Sequence, residues 1–313
     1  MDVNLEQLHA FVTVAELGNF TRAADRLHLA QPSLSRQIAT LEQDLRTPLL
    51  HRARAGSTLT VAGETLLPLA RRMLADAETA RRELAELSGL ERGRVRLGAT
   101  PTLSISLVAE ALTVFHSAHP RVDLHLSEHG SRRLLDELGS GELDLALITT
   151  SGTTAAERFT VLPLLVEELV VISSRDAPSV TAGDSIRLDE VSKLPQIVFS
   201  STYDLRRETD AAFAGAGLVP DVVVEGAEMD AVLRYVERGL GVAIVPAMVL
   251  VERPGLRSVR LTEPTLTRTI SIARPSEFPS SAAAQVMERT ITATAAEFAA
   301  RSGATMRVAH QER

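Results

Sequence analysis

The first sixty residues alternate between apolar and polar positions with the period of an α-helix. Leu5, Leu8 and Val12 lie on one side of a first helix, which Gly18 ends. Asn19 is a residue type that caps helices, so a second short helix is expected to follow it. A third helix has apolar residues spaced by four, three and four positions, at Leu34, Ile38, Leu41 and Leu45. The pattern therefore predicts a bundle of three short helices.

A proline divides the stretch FTRAADRLHLAQPSLSRQIATLEQDL, residues 20–45. Proline inside a helix costs about 3 kcal/mol, whereas in the first turn it costs little because the missing N–H would have no partner within the helix. Pro32 therefore marks the start of a helix that meets the preceding one at an angle. The exposed side of this helix carries polar residues, at Ser33, Ser35, Arg36, Gln37 and Thr40. This arrangement predicts a helix-turn-helix whose second helix is sized to enter a DNA major groove.

Residues 60–88 predict one long helix, which Gly89 ends. Its apolar residues are spaced alternately by four and three positions, as in a heptad repeat, at Leu66, Ala70, Met73, Ala77, Ala80, Leu84 and Leu87. Two interpretations are open: the helix lies on its own domain, or it pairs with a second copy of the chain. The narrow stripe and its charged flanks favour a dimerising coiled coil.

Strand and helix patterns alternate from about residue 92 onward. We expect strands at 95–99, 122–126, 143–148, 168–173, 196–200, 221–224, 241–245 and near 269–273. We expect helices at 103–118, 131–138, 204–215, 228–238 and 281–300. Strands that alternate with helices predict two α/β units with largely parallel sheets.

The composition is that of an ordinary globular protein with more than one domain. Of its 313 residues, 45% are hydrophobic and 23% are charged. No apolar run approaches the roughly 18 residues of a membrane span, and the amino terminus lacks the layout of an export signal. These features predict a cytoplasmic protein with no membrane partner. The absence of cysteine excludes disulfides and thiolate metal sites.

The net charge of −7 argues at first against a nucleic-acid partner. Its distribution changes that picture, because residues 20–56 hold six arginines and only three carboxylates. The helix-turn-helix is therefore basic although the whole chain is acidic, and DNA stays a suitable partner for it.

The string FVTVAELGNFTRAADRLHLAQPSLSRQIATLEQDLRTPLLHRARAGSTLTVAGETLL, residues 11–67, closely resembles the LysR-type transcriptional regulators. The sequence departs from the family pattern at Arg46-Thr47 and at Leu50-His51. The resemblance implies an α+β multidomain fold, with an amino-terminal winged helix-turn-helix that is mostly α, a long linker helix and a two-lobed α/β domain like type 2 periplasmic binding proteins. The expected boundaries are 1–60, 61–89 and 90–301, with lobe I at about 90–161 and 269–301, lobe II at about 162–268, and a tail at 302–313.

The resemblance implies a regulator that is not an enzyme and holds no cofactor. Its expected partners are double-stranded operator DNA, a small-molecule effector, RNA polymerase and further copies of the chain in a homodimer or homotetramer. A solute-binding protein or a small-molecule-binding enzyme of the same two-lobed fold is the alternative. A solute-binding protein would need an export signal and would leave residues 1–88 without a purpose. Against an enzyme, the sequence contains no Walker loop, Gly-x-Ser-x-Gly elbow or His-Glu-x-x-His motif.

Residues that match the family motif open the third helix and are expected to read bases, namely Gln31, Pro32, Ser33, Ser35 and Arg36. Arginine forks onto guanine and glutamine onto adenine in the major groove. Four further residues are expected to contact phosphates, which position the module without reading sequence: Thr21, Arg22, Arg52 and Arg54. The alternative interpretation of these arginines is a solvated, salt-bridged surface.

Three loops that follow strands carry small polar residues and form the expected effector site. Their candidates are Thr100, Pro101, Thr102, Glu128, Gly130, Ser200, Ser201, Thr202 and Tyr203, with Arg206, Glu225 and Met229 as further lining residues. Hydroxyls and free N–H groups at helix starts favour anions, and ligands of open α/β sheets bind beyond the carboxyl ends of strands. We expect a small polar, carboxylate or amino-acid-like effector. Serine and threonine at these places are also ordinary helix caps.

The histidines do not show the spacing of a known metal site. His116 and His119 lie three positions apart near a predicted helix end, while His125 and His129 fall on a strand and its exit loop. We interpret them as surface or loop residues, and no metal is predicted.

Overall fold

The computed structural model describes most of the chain in two compact units. It describes residues 3–53, 56–86, 93–150, 158–201, 203–250, 253–276, 280–302 and 305–309. The amino-terminal unit comprises Met1–Leu90 with Asp136–Leu143, and the carboxy-terminal unit comprises Glu91–Leu135 with Asp144–Arg313. Within the described residues, no helix is long and apolar enough to cross a membrane.

Three short helices open the amino-terminal unit, as the sequence predicted. They are α1 (Leu5–Leu17), α2 (Phe20–Arg26) and α3 (Gln31–Leu45). Gly18 ends α1 in the left-handed conformation, with a φ of 60°, which glycine adopts without a Cβ clash. The side chain of Asn19 then caps α2 by accepting the N–H groups of Thr21 and Arg22. Pro32 lies in the first turn of α3, so the predicted helix start is confirmed.

A β-hairpin and a long helix complete this unit. The hairpin pairs β1 (Leu50–Ala53) with β2 (Gly56–Leu59) in antiparallel register and forms the wing. The long helix α4 spans Val61–Glu86. The apolar faces of the three short helices meet in one core, whose fully buried members include Leu8, Phe11, Leu34, Ile38 and Leu41.

The start of α4 packs on the same core, which corrects part of the predicted heptad stripe. Ala70 is fully buried and Leu66 is partly buried against that core. Ala70 therefore has no surface to offer a second copy of the chain. Farther along the stripe, 48% of Met73 is exposed, Ala80 is exposed and Ala77 is half-buried. Leu87 and the side chain of Leu84 lie outside the described residues.

In the described part of the carboxy-terminal unit, the strands form a nine-stranded sheet and a separate two-stranded sheet. The strands are β3 (Gly93–Ala99), β4 (Val122–Glu128), β5 (Leu145–Thr150), β6 (Phe159–Ser174), β7 (Ser185–Arg187), β8 (Pro195–Phe199), β9 (Asp221–Ala227), β10 (Ala243–Pro246), β11 (Leu256–Thr262), β12 (Thr267–Pro275) and β13 (Met306–Val308). The helices are α5 (Pro101–Leu103), which continues through a π-helical turn (Ser104–Val108) into α6 (Ala109–Ala118), α7 (Ser131–Gly139), α8 (Leu188–Val191), α9 (Asp204–Gly215), α10 (Met229–Glu237), a 3-10 turn (Ala247–Leu250) and α11 (Ala282–Ser302). The second half of α7, from Asp136 onward, is grouped with the amino-terminal unit.

The main sheet is mixed, whereas the sequence pattern predicted largely parallel sheets. β3 pairs in parallel with β4 and β5, but β12 is antiparallel to both β5 and β6. β6 is also antiparallel to β10, β11 and β13. The prediction was wrong because the 16-residue strand β6 pairs with antiparallel strands. Antiparallel neighbours need no helical crossover, so the alternation of strands and helices along the sequence does not reveal them.

This topology divides the carboxy-terminal unit into two regions that share β6. We call lobe I the region of β3, β4, β5 and β12, and lobe II the region of β7 to β11. Residues 159–168 of β6 pair with β12 in lobe I, and residues 169–172 pair with β10 in lobe II. The loops at the carboxyl ends of β3, β4 and β8 are the loops that the sequence singled out for the effector.

Candidate DNA-binding surface and effector cleft

The polar side of α3 is exposed, as a base-reading helix requires. Gln31, Pro32 and Arg36 are exposed, while Ser33 and Ser35 are half-buried. The amide of Gln31 donates to the Ser35 hydroxyl at 3.0 Å, and Nε of Arg36 donates to the Pro32 carbonyl at 3.4 Å. Both hydrogen bonds stay within one helical turn, so the side chains remain at the surface, where base edges are accessible to them.

The predicted phosphate contacts lie on the neighbouring elements of the same unit. Thr21 and Arg22 are exposed at the start of α2. Arg52 extends from β1, where its guanidinium lies 5.0 Å above the centre of the Phe20 ring and 3.5 Å from a Glu42 carboxylate oxygen. These contacts fix the direction of a side chain that is still exposed. Arg54, the other predicted contact on the wing, lies outside the described residues.

A groove of about 280 Å³ runs along the exposed side of α3. It is lined by Asn4, Glu6, Gln7, Ser33, Arg36, Gln37 and Thr40. The prediction of site residues left out Gln37 and Thr40, although both lie on the polar stripe that the helical spacing indicated. Their position on one side with Arg36 was the available signal.

A cleft of about 300 Å³ lies in the carboxy-terminal unit. Its lining residues include six that the sequence predicted: Thr100, Pro101, Thr102, Glu128, Gly130 and Tyr203. The structure adds His129, Arg133, Thr149, Asp204, Leu205, Glu228 and Arg268. Both lobes contribute side chains, so the predicted meeting of loops from two α/β regions is found in the structure.

Several predicted lining residues do not line this cleft. Arg206 donates to Asp210, Glu225 and the Phe199 carbonyl, which keeps the Arg206 and Glu225 side chains together on lobe II. Met229 is 3% exposed and belongs to the apolar core. Ser200 and Ser201 are also absent from the lining, and Thr202 lies outside the described residues. Proximity in sequence to a strand end does not fix the direction of a side chain, which explains these errors.

The floor of the cleft is a buried ionic network. Glu167 on β6 is fully buried, and Arg268 on β12 is 4% exposed. Nε of Arg268 donates to Oε1 of Glu167 at 2.7 Å, and its Nη1 donates to the Thr102 hydroxyl at 3.2 Å. The second Glu167 oxygen accepts the backbone N–H of Met248 at 3.1 Å. Charge-assisted hydrogen bonds of this kind hold the buried charges in place.

Two contacts link the polar groups at the cleft mouth. The backbone N–H of Ser131, at the start of α7, donates to Oδ2 of Asp204 at 3.1 Å and so joins lobe I to lobe II. The Tyr203 hydroxyl donates to the Glu228 carboxylate. Burial raises the pKa of Tyr203, and the negative charges of Glu228 and Glu128 raise it further. Tyr203 therefore remains a neutral hydrogen-bond donor across the physiological range.

Both halves of the chain match models of one protein family. Residues 5–64 match the bacterial regulatory helix-turn-helix protein, lysR family, and residues 88–296 match the LysR substrate binding domain. The chain belongs to the LysR family. It is a transcriptional regulator with a DNA-binding helix-turn-helix and an effector-binding domain, as its relatives are.

Related LysR-family proteins cover nearly the whole chain. A probable nitrogen assimilation transcriptional activator of Synechococcus elongatus is 33% identical over 279 residues, which are 88% of this chain and 90% of that protein. The HTH-type transcriptional regulator YybE of Bacillus subtilis is 31% identical over 268 residues, or 86% of this chain and 91% of that protein. Full-length OxyR of Pseudomonas aeruginosa has a similar structure, with a TM-score of 0.71, 26% identity, and coverage of 93% of this chain and 98% of that one.

Proposed function

We propose that this LysR-family regulator binds operator DNA as a homo-oligomer through α3 and responds to a small polar effector in the cleft of its carboxy-terminal unit. Its place of action is the cytoplasm, where bacterial DNA lies, and it performs no catalysis. The exposed side of α3, with Arg36 next to the groove, is the observation that carries the DNA-binding part.

Base reading is assigned to α3 because its polar side chains combine donors and acceptors with free access. Arg36 presents a guanidinium that matches guanine O6 and N7, and Gln31 presents an amide that matches adenine. Thr21, Arg22 and Arg52 lie on adjoining elements, where they serve to hold phosphates. Half-sites on DNA are read by paired modules, so this arrangement requires at least a dimer.

The effector acts in this proposal through the angle between the two lobes. β6 passes through both lobes, and the hydrogen bond from Ser131 to Asp204 joins them at the cleft. A molecule that fills the cleft has contacts with both lobes only in one arrangement. It therefore shifts the population toward that arrangement without creating a new one.

The test of DNA reading begins with the native operator, obtained by selecting random-sequence duplexes on the wild-type protein. Arg36→Ala should lower affinity for the selected duplex by about 5- to 150-fold, because one bidentate base contact is worth about 1–3 kcal/mol. Affinity for a scrambled duplex should change much less. Fluorescence anisotropy at several salt concentrations measures both.

Arg22→Ala is the matched control for the same titrations. Loss of a phosphate contact should weaken binding to both duplexes equally and reduce the salt slope by about one. If Arg36→Ala lowers affinity for both duplexes to the same extent, α3 does not read bases in the proposed way.

The oligomer is tested at the exposed part of the heptad stripe. Met73→Glu places a charge where two α4 helices would meet, so it should dissociate the oligomer and abolish tight operator binding. Asp76→Asn, on an exposed position of the same helix, is the control. Light scattering gives the mass. A Met73→Glu protein with the mass of the wild-type oligomer would show that α4 does not pair through this stripe.

A further inference from the structure

Carboxylates outnumber cationic groups around the cleft. Glu128 from lobe I and Asp204 and Glu228 from lobe II line it, and Glu128 and Glu228 are exposed to it. Arg133 and Arg268 also line it, but the charge of Arg268 is offset by the buried Glu167, which lies 2.7 Å away. The charge of Asp204 is likewise offset by its ion pair with Arg207. The formal charge that remains, from Glu128, Glu228 and Arg133, is negative. A ligand that carries only negative charge would enter an unfavourable potential.

The aromatic side chain of Tyr203 lines the cleft together with these carboxylates. Tyr203 donates its hydroxyl to Glu228, and its ring stacks on Phe199 with the centroids 5.4 Å apart. Glu128 lines the same cleft from lobe I, and its negative charge raises the pKa of Tyr203 further. Negative charge beside a tyrosine suits an ammonium group, which is attracted both by the carboxylates and by the ring.

The floor of the cleft has the opposite character. Nη2 of Arg268 is buried and donates to no acceptor among the described residues, although it lies 2.7 Å from Oε1 of Glu167. The hydroxyls of Thr100 and Thr102 lie 3.5 Å apart beside the helix that begins at Pro101. A buried donor without an acceptor is unfavourable. A ligand oxygen placed here would remove that cost.

We infer that the effector of this regulator is a small zwitterion of amino-acid type. Its ammonium group lies between Glu128, Glu228 and Tyr203, and its carboxylate lies over Thr100, Thr102 and Arg268. The inference rests on the proposed function, because it takes the cleft as the effector site. A volume of about 300 Å³ is at the lower end for ligand pockets, which suits a molecule of this size.

Neither half of such a molecule satisfies the cleft alone. A simple amine leaves the Arg268 N–H without an acceptor, and a dicarboxylate places a second negative charge near Glu128 and Glu228. Only a ligand with both groups matches the two ends at once. This difference gives the inference a test with defined probes.

The probes are the twenty common amino acids, each compared with the amine that lacks its carboxylate and the acid that lacks its amino group. Thermal-shift measurements on the full-length protein rank them, since a ligand of the folded state raises the melting temperature. Isothermal titration then gives Kd for the best. At least one amino acid should bind about tenfold more tightly than either of its two counterparts.

Two variants locate the ammonium group. Glu128→Gln and Glu228→Gln should each weaken binding of the best amino acid by about tenfold and should strengthen binding of its deaminated acid. Asp230→Asn is the matched control. Asp230 lies in the first turn of α10, the helix that directly follows Glu228, but it pairs with Arg253 away from the cleft. Melting curves without ligand verify that all three variants are folded.

The outcomes separate this inference from the proposed function. If only acids without an amino group bind, if no amino acid in the panel binds, or if both glutamine variants keep the wild-type affinity, the zwitterion is overturned. Specific operator binding by the ligand-free protein, measured as above, stands or fails independently. Loss of that binding would overturn the proposed function instead.

Discussion

The two sites of this protein hold their charges in different ways. On α3 the arginine that faces the groove is exposed, and the core beneath it consists of apolar side chains such as Phe11 and Ile38. In the cleft, Glu167 and Arg268 are buried together before any ligand arrives. DNA is a polyanion that brings its own charge to an open surface, whereas a small molecule needs groups that are already oriented. Function is therefore separable from stability in the first site and coupled to it in the second.

The largest effect should come from breaking the buried ion pair. Arg268→Ala leaves the Glu167 carboxylate fully buried without its cation, which should lower the free energy of unfolding of the carboxy-terminal unit by about 3–5 kcal/mol. Urea denaturation followed by hydrogen exchange of β6 and β12 measures this locally. Arg36→Ala, measured by hydrogen exchange of the amino-terminal unit in urea, should change stability by less than about 0.5 kcal/mol.

The neighbouring ion pair supplies the control. Arg260 pairs with Glu168 at 2.7 Å, but about half of its side chain is exposed to solvent. Arg260→Ala should therefore leave the unfolding midpoint almost unchanged. The double change Glu167→Met with Arg268→Met should recover most of the lost stability, because no buried charge is left unpaired. Equal losses for Arg268→Ala and Arg260→Ala would show that burial does not distinguish the two pairs.

The amino-terminal unit should instead be sensitive to packing. A Cβ added at Gly63 would lie 2.2 Å from the Leu49 carbonyl oxygen and 2.9 Å from Cδ2 of Leu59. Gly63→Ala should thus displace the start of α4 from the wing and cost about 1–3 kcal/mol. Hydrogen exchange in β1, β2 and the first turns of α4 measures the loss.

Gly215→Ala is the control for that substitution, since in the described part of the chain the Cβ added at the end of α9 meets no atom within 4 Å outside the backbone of its own helix. It should be neutral or slightly stabilising because alanine favours helix more than glycine does. If Gly63→Ala is equally harmless, the contact between α4 and the wing is looser than the distances indicate.

Local signals explain why much of the first unit could be predicted from the sequence. Gly18, Asn19 and Pro32 each act on residues within four positions, and the helical spacing marked the buried side of α3. The fold of the second unit depends instead on contacts between residues that are far apart in the sequence. Glu167 and Arg268 are 101 positions apart, and nothing near either residue indicates the other.

The length of β6 was underestimated for a related reason. Only residues 168–173 were predicted as a strand, because Pro163 and Glu167 interrupt the apolar pattern before them. In the structure, Glu167 is fully buried because Arg268 lies on the adjacent strand β12. The burial of a charged residue inside a strand can be explained only when its partner strand is known. Because the pairing of β6 with β12 was not predicted, the buried ion pair at the floor of the cleft was not predicted either.

The smallest expected effect concerns Arg46, where the chain departs from the family pattern. Arg46 follows the last turn of α3 in the left-handed conformation, with a φ of 53°. A residue with a Cβ is strained there by about 1–2 kcal/mol, while glycine is not, although glycine gives the unfolded chain more freedom. Arg46→Gly should therefore stabilise the amino-terminal unit by a few tenths to about 1 kcal/mol. Because Arg46 lies at the far end of α3 from Gln31 and Pro32, operator affinity should change little.

Gln43→Gly, at an exposed position inside the same helix, is the control and should cost about 1 kcal/mol. Denaturation and anisotropy titrations on the same samples decide the matter. A gain in stability without a change in operator affinity would separate the two properties in this unit. A loss of stability with Arg46→Gly would contradict the strain at this position, and a loss of operator affinity would show that the end of α3 contributes to the DNA-binding surface.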